Sequence, residues 1–193
     1  ILSVVWENDV FNGNDRGYTN GGRIAYISPE ENMPSYVREA SSYLPIPFNR
    51  EGKKRISFAL GQSMFTPRNI ATATPPADDR PYAGWLYGSF GLISDSGIVF
   101  DNAAITVGVI GSSSKAQQVQ KFVHTHITNS PIPQGWNHQL NNELGVNLDY
   151  ERKWRGIFSS SPFGMAFDVM PHVGAALGNV NTNAAVGFTL RFG

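Results

Sequence analysis

The sequence predicts an all-β fold, an antiparallel up-and-down transmembrane β-barrel, on three observations. Apolar and polar residues alternate with period two along much of the chain. The alternating runs approach the roughly 9–11 residues that a tilted strand needs to cross a bilayer. Their second face is small and polar, as a hydrated lumen requires, while the apolar face carries aromatics able to form interfacial girdles. A soluble sandwich would alternate as well, but strand length and the wet second face favour the barrel. Closure follows, because an open sheet edge is not tolerated in lipid.

Leu2–Asp9 and Tyr18–Ser28 read as the first two strands. The segment 29–53 contains a helix through Tyr36–Leu44. Ile56, Phe58 and Leu60 then alternate with Ser57, Ala59 and Gly61. Tyr82–Ile93 runs into the turn Ser94-Asp95-Ser96-Gly97, and Ile105, Val107 and Val109 oppose Thr106 and Gly108. Lys115–Ile127 has helical spacing, with Ser113 or Ser114 as a natural N-cap. Val119, Phe122, Val123 and Ile127 form its apolar stripe. His126 falls within that stripe and reads as a packed or interfacial residue, whereas His124 points away, beside Gln117, Gln120 and Lys121. Leu144, Val146, Leu148 and Tyr150 alternate with Gly145, Asn147, Asp149 and Glu151. Phe167, Val169 and Val173 oppose Asp168, His172 and Gly174, and Val186, Phe188, Leu190 and Phe192 oppose Ala185, Gly187, Thr189 and Arg191. The total is eight strands in a single domain over 1–193, with no internal repeat or linker.

In such a barrel successive connections alternate between the rims. The short turn at 94–97 belongs on the periplasmic side. Parity then collects the loops at 10–17, 66–81 and 113–142 on one extracellular rim and puts 29–53 opposite. Fifteen basic and fifteen acidic side chains cancel, which argues against a nucleic-acid partner. The absence of cysteine excludes disulfides and thiolate metal sites without deciding the compartment. No apolar stretch reaches the roughly 18–20 residues of a spanning helix. No basic-then-apolar leader opens the chain, which reads as a mature or trimmed product.

Three polar clusters lie in or beside those loops. Glu7-Asn8-Asp9 ends the first strand, and Asp15-Arg16-Gly17-Tyr18-Thr19-Asn20-Gly21-Gly22 enters the second. Thr66-Pro67-Arg68 precedes Asp78-Asp79-Arg80-Pro81-Tyr82-Ala83-Gly84. Gln117–Thr128 holds His124 and His126 and is followed by Gly135-Trp136, Gln139-Leu140 and Glu143. Carboxylates, amides and hydroxyls converging on one rim suit a hard cation such as calcium, and an imidazole beside them can serve as general base.

Each residue also has a plainer reading. Asn8 and Asp9 could end a strand, and Thr19 could be a ladder residue. Asp15-Arg16 and Asp79-Arg80 suit rim ion pairs or turns, Glu143 a ligand or an interior charge, and His172 with Asp168 a hydrogen-bonded lumen group. On periodicity alone His124 is a solvated histidine. Gly-X-Ser-X-Gly is absent, so a nucleophile-elbow hydrolase has little support.

Taken in order, Glu7-Asn8-Asp9, Asp15–Gly21, Asp79–Gly84, Gln118–His124 and Gly135-Trp136 with Gln139 resemble the lipid A 3-O-deacylase family of Gram-negative outer membranes. The resemblance implies a twelve-stranded barrel, with its site between the wall and a helix of an extracellular loop. It implies calcium-dependent hydrolysis of an acyl ester of lipid A in the bacterial outer membrane, much as secreted phospholipases A2 cleave theirs. His124 would be the base, Asp9 and Asn8 would hold metal or substrate, and Thr19 would line the site. Arg68 and Arg80 could contact the phosphates of the lipopolysaccharide substrate, guanidinium being a bidentate anion ligand. Family members can carry adjacent basic residues in this loop, where this chain offers only those two. Four further strands are expected after Gly193, and an isolated eight-strand piece with open edges is expected to aggregate. An outer-membrane phospholipase or a non-catalytic porin or structural barrel are the alternatives. Substrate profiling separates the first from a deacylase, and ion conductance without ester cleavage would mark the second.

Overall fold

The structure, a computed structural model, describes residues 1–8, 17–30, 33–44, 48, 51–160 and 165–192. Among these, one antiparallel sheet contains β1 (Leu2–Asn8), β2 (Gly17–Ile27), β3 (Lys53–Thr66), β4 (Ala83–Asp95), β5 (Val99–Ile110), β6 (Glu143–Trp154), β7 (Phe158–Ser160), β8 (Phe167–Gly178) and β9 (Asn183–Phe192). Two helices interrupt the meander, α1 (Ser35–Ser41) between β2 and β3 and α2 (Ala116–Val123) between β5 and β6. β7 is not a separate strand of the wall. Lys153 of β6 stands opposite His172 and Phe158 of β7 opposite Val169, so both run along one edge of β8 as a single interrupted strand. The wall therefore has the eight strands expected. They form a curled sheet in which β1 and β9 each have one described partner.

Strand ends differ modestly from the sequence reading. β4 continues to Asp95, because Gly97 N–H donates to the Asp95 carboxylate and closes the turn beyond it. The expected helix of 36–44 is the shorter Ser35–Ser41.

Pairing across the strands sorts the side chains into rungs. One rung runs Leu2, Tyr26, Phe58, Phe90, Ile105, Leu148, Leu177, and the next towards the loop end runs Val4, Ile24, Leu60, Gly88, Val107, Val146. Most are apolar yet exposed, with Leu60 61 % and Leu177 66 % accessible, while Phe90 and Val146 are half-buried. An apolar outer face this wide is what a bilayer, not water, solvates. Residues between the rungs face the concave side and are small or polar. Thr106 and Asn147 are buried there, the Thr106 hydroxyl donates to Ser89 Oγ at 3.1 Å, and Trp85 packs on Tyr87 with centroids 4.4 Å apart. A Cβ on Gly61 would lie 2.4 Å from the Tyr87 ring, so glycine is what lets that ring cross the lumen face.

At the short-turn end, on the outer face, Asp101 is fully buried. It accepts from Arg152 Nε at 2.7 Å, from Arg152 Nη2 at 2.8 Å and from the Tyr150 hydroxyl at 3.0 Å. Ser94 in the same rung accepts from Lys54 Nζ at 2.7 Å, and that ammonium sits 4.9 Å from the ring of buried Phe48. Charges survive here because each is paired and hydrogen-bonded. An apolar groove of about 480 Å³ opens nearby between Leu44, Phe90, Ile105, Leu148, Ala175 and Leu177. It is part of the bilayer-facing wall and lies below the polar clusters of the loop end.

The cluster of buried apolar side chains sits at the loop end: Met64, Ile70, Tyr82, Ala116 and Trp136. A barrel wall has no conventional interior of its own, so this small core does one thing: it fixes loops to wall.

Candidate functional site at the loop rim

The rim is assembled from backbone groups first. Asp79 behaves as a turn former. Its carboxylate accepts from Arg68 N–H at 2.8 Å and Arg80 N–H at 2.8 Å, pinning the two ends of the 66–81 loop together. The Tyr82 hydroxyl donates to Ile70 O at 3.2 Å, Gln134 N–H donates to Ile70 O at 2.9 Å, and Leu140 N–H donates to Tyr82 O at 2.9 Å. The segment before β6 is thus tied to the loop before β4, and Trp136 packs against Tyr82 with centroids 4.9 Å apart. Both aromatics are almost fully buried.

Helix α2 rests on the outer face of this wall. The last rung that spans β1 to β4 is Asn8, Asn20, Met64, Gly84. A Cβ on Gly84 would meet Ser114 Oγ at 2.2 Å and Ala116 Cβ at 2.3 Å, so the helix begins in contact with bare wall. From the next rung the Gln62 amide donates to Ser114 O at 2.6 Å. The chain enters α2 through a short 3-10 turn, Ser112–Ser114, and through Lys115, whose φ of 61° is left-handed. A non-glycine residue there costs about 1–2 kcal/mol, which the packed contacts on either side offset. Ser114 supplies the expected serine cap: its Oγ accepts from Ala116 N–H at 3.4 Å while donating to Gly111 O at 2.6 Å, and Lys115 between them makes no side-chain cap bond of its own.

Ala116, Gln120, Val123 and His124 are the buried residues of the helix and its continuation, one face at i, i+4, i+7 and i+8. After Val123 the helix widens into a π turn, His124–Thr128, a form common at functional sites. Asn129 then turns left-handed at φ 51° and returns the chain, with Ser130 N–H donating to His124 O at 3.1 Å. That return places the Pro131 carbonyl 2.6 Å from His124 Nδ1. A carbonyl only accepts, so Nδ1 carries the proton, and in the neutral ring Nε2 is the basic nitrogen. Beside it, Gln120 Oε1 accepts from Trp136 Nε1 at 2.8 Å, while Gln120 Nε2 is buried with no hydrogen-bond partner among the described residues.

This geometry reverses one expectation. Periodicity put Val119, Phe122, Val123 and Ile127 on the packed stripe and His124 on the solvated side; of that stripe only Val123 is buried. In the structure His124 is 2 % exposed, whereas Phe122 and Ile127 are each 56 % exposed. His126 is exposed and stacks on Phe122 at 4.7 Å. Gln120 and His124 pack beside Ala116 and Val123 because the loops offer them hydrogen-bond partners. The apolar face turns outward, on the side of the wall that meets lipid. A second expectation also changes: Asp168 pairs with Arg191, and the Nδ1 of His172 has no described partner.

The other named residues fall as follows. Asn8 stands opposite Asn20 at the loop end of the first strand pair, and Asn20 Oδ1 accepts from Trp6 Nε1 at 3.2 Å. Thr19 is the extra residue of a β-bulge, since Tyr18 opposes Phe65 and Asn20 opposes Met64. The side chains of Asn8 and Thr19, and the whole of Asp9, Asp15 and Arg16, lie outside the described residues. Arg68, Arg80 and Glu143 are exposed on the rim. Sequence reasoning missed Gln120 as a site residue. Its signal was the i, i+4 spacing to His124 on a polar face, which only an inward orientation makes meaningful. Among the described residues no three His, Asp or Glu side chains come together as a metal site. The oxygen donors at this rim are amides and hydroxyls of the kind a hard cation accepts. To hold a dication they need a carboxylate, and Asp9 adjoins Asn8 in sequence.

A curled antiparallel wall, apolar on its convex side and capped at one end by folded polar loops, defines an outer-membrane β-barrel protein with a site at its loop rim. Residues 1–193 match the family model described as outer membrane protein LpxR, and the chain belongs to that family, the one its motifs resemble. Its fold is similar to that of LpxR from Salmonella typhimurium, with a TM-score of 0.76 at 18 % identity. That likeness covers 98 % of this chain and 62 % of the Salmonella chain, so this chain spans less than two thirds of that relative's length. No curated protein sequence matches. The protein is thus located in the bacterial outer membrane.

Proposed function

We propose that the protein hydrolyses an acyl ester of lipid A, releasing the 3-O-linked chain at the outer-leaflet rim. The observation that carries this reading is the burial of His124 against the bilayer-facing side of the wall, with Nδ1 donating to the Pro131 carbonyl. A base in that position meets an ester whose acyl chains remain in the membrane, so the substrate need not be lifted into water. Family membership supports the same substrate class.

In the proposed reaction His124 Nε2 takes a proton from a water as its oxygen attacks the ester carbonyl. The tetrahedral intermediate collapses by breaking the bond to the sugar oxygen, and the imidazolium returns its proton to that oxygen. The products are a fatty acid and a free sugar hydroxyl. Calcium, held by Asp9 with Asn8 and with Thr19 lining the site, would polarise the carbonyl and stabilise the oxyanion. Arg68 and Arg80, exposed on the same rim, would receive the phosphates of the disaccharide. The Pro131 carbonyl keeps the ring in one tautomer and one orientation.

The test uses full-length protein and mass spectrometry of lipid A. His124→Ala should reduce release of the 3-linked chain by at least about 100-fold, the lower range for losing a general base, and excess chelator should abolish release by the unmodified protein. Wild-type release by His124→Ala refutes the base, and release undiminished by chelator refutes the metal.

A further inference from the structure

Helix α2 has three sectors rather than two. At about 100° per residue, Ala116, Gln120 and Val123 fall together and face the wall, and all three are buried. Lys121 falls on one flank and Gln118 points away from the wall, and both are exposed. Val119 and Phe122 fall on the other flank, also exposed, and Ile127 continues that side through the π turn. An amphipathic helix on a water-covered surface would show its polar side outward and bury the apolar one. Here the inward sector, Ala116, Gln120 and Val123, is already packed, and a separate apolar flank is left on the surface.

The position of that flank says what covers it. α2 starts against Gly84 on the convex face, one rung beyond Gln62, Leu86, Val109 and Leu144. Val109 and Leu144 are themselves exposed apolar residues of the bilayer-facing wall. The helix itself lies along β4 and β3, whose outward rungs below it include exposed Leu60, so it borders a surface already assigned to lipid. His126, the polar residue on this side, has its ring flat on Phe122, with an interplanar angle of 24°, and its Nδ1 lies 3.1 Å from Phe122 O. One ring nitrogen is satisfied by the backbone, which suits an interface better than bulk water.

We infer that the Val119, Phe122 and Ile127 flank of α2 is immersed in the acyl chains of the outer leaflet, with Gln118 and Lys121 turned to the polar headgroup side. The helix then lies in the interface plane as a membrane-surface helix does, while its third sector holds His124 against the wall. Immersion sets the depth of that imidazole relative to the leaflet. The inference needs only the outer-membrane location, so it stands or falls separately from the hydrolase reading.

The sequence has no cysteine, so single nitroxide labels report cleanly. Full-length protein carrying Val119→Cys, Phe122→Cys, Gln118→Cys or Lys121→Cys is labelled and reconstituted into phosphatidylethanolamine–phosphatidylglycerol vesicles. Heat-modifiable gel mobility confirms that each barrel is folded, and Ile127→Cys substitutes for any apolar-flank variant that is not. The oxygen-to-nickel-chelate accessibility ratio should be several-fold higher at 119 and 122 than at 118 and 121. Equal ratios at the two pairs of positions would overturn the inference, as would labels at 119 and 122 that neither reagent reaches, which would mean that protein covers the flank.

Discussion

Replacing Gly84 by alanine tests how the wall holds the helix that carries His124. The new methyl would sit 2.2 Å from Ser114 Oγ and 2.3 Å from Ala116 Cβ. Carbon atoms rest about 3.5–4.0 Å apart, so the start of α2 must withdraw by about 1.5 Å. It cannot do so freely. Ser114 donates to Gly111 O and its carbonyl accepts from Gln62, and Ala116 belongs to the buried cluster with Met64, Tyr82 and Trp136. Overpacking of this kind costs about 1–3 kcal/mol. The helix is two turns long and rigid, so the displacement carries to His124, and a misplacement of about 1 Å can cost about 100-fold in rate. Full-length Gly84→Ala should therefore unfold at lower temperature in a heat-modifiability assay and lose acyl release steeply. Gly22→Ala, on the same outer face two strands away, meets nothing within 4 Å and should change neither. A Gly84→Ala protein with the parent's unfolding midpoint and rate, or a Gly22→Ala protein equally damaged, would refute the packing argument.

Trp136→Phe removes the indole N–H that Gln120 Oε1 accepts at 2.8 Å. With an acceptor stranded in a buried site, it should lower stability by about 1–3 kcal/mol, read as the urea midpoint in detergent. Asp101→Ala leaves the Arg152 guanidinium without its bidentate partner. It should cost about 3 kcal/mol, the low end for a broken buried pair because Arg152 keeps some water contact. Asp168→Ala, whose partner Arg191 is well exposed, should leave the same midpoint unchanged.

Much of the wall was legible because period two is enforced locally. A residue one position out of register exchanges lipid for lumen, so Phe58, Leu60, Leu148 and Val186 announce their face without help from distant contacts. The helix at 116–123 was legible in its existence but not in its orientation. Helical periodicity separates a polar side from an apolar side, and assigning the apolar side inward assumes that water lies outside. For a helix laid on the outer face of a membrane wall that assumption reverses, which is why His124 is buried and Phe122 exposed. The single strand interrupted between Trp154 and Phe158 was not legible, since its continuity appears only in the shared pairing to β8.

Alternation, turn chemistry and motif order, all properties of neighbouring residues, were enough to determine the barrel class, the strand number and the family. The tertiary structure decided what depends on distant segments meeting. Trp136 supplies the partner of Gln120, Pro131 sets the tautomer of His124, and Gly84 sets the height of α2 above the wall. None of these has a local signature, because each is an interaction between a helix and a surface whose sidedness is fixed by the solvent around the whole barrel.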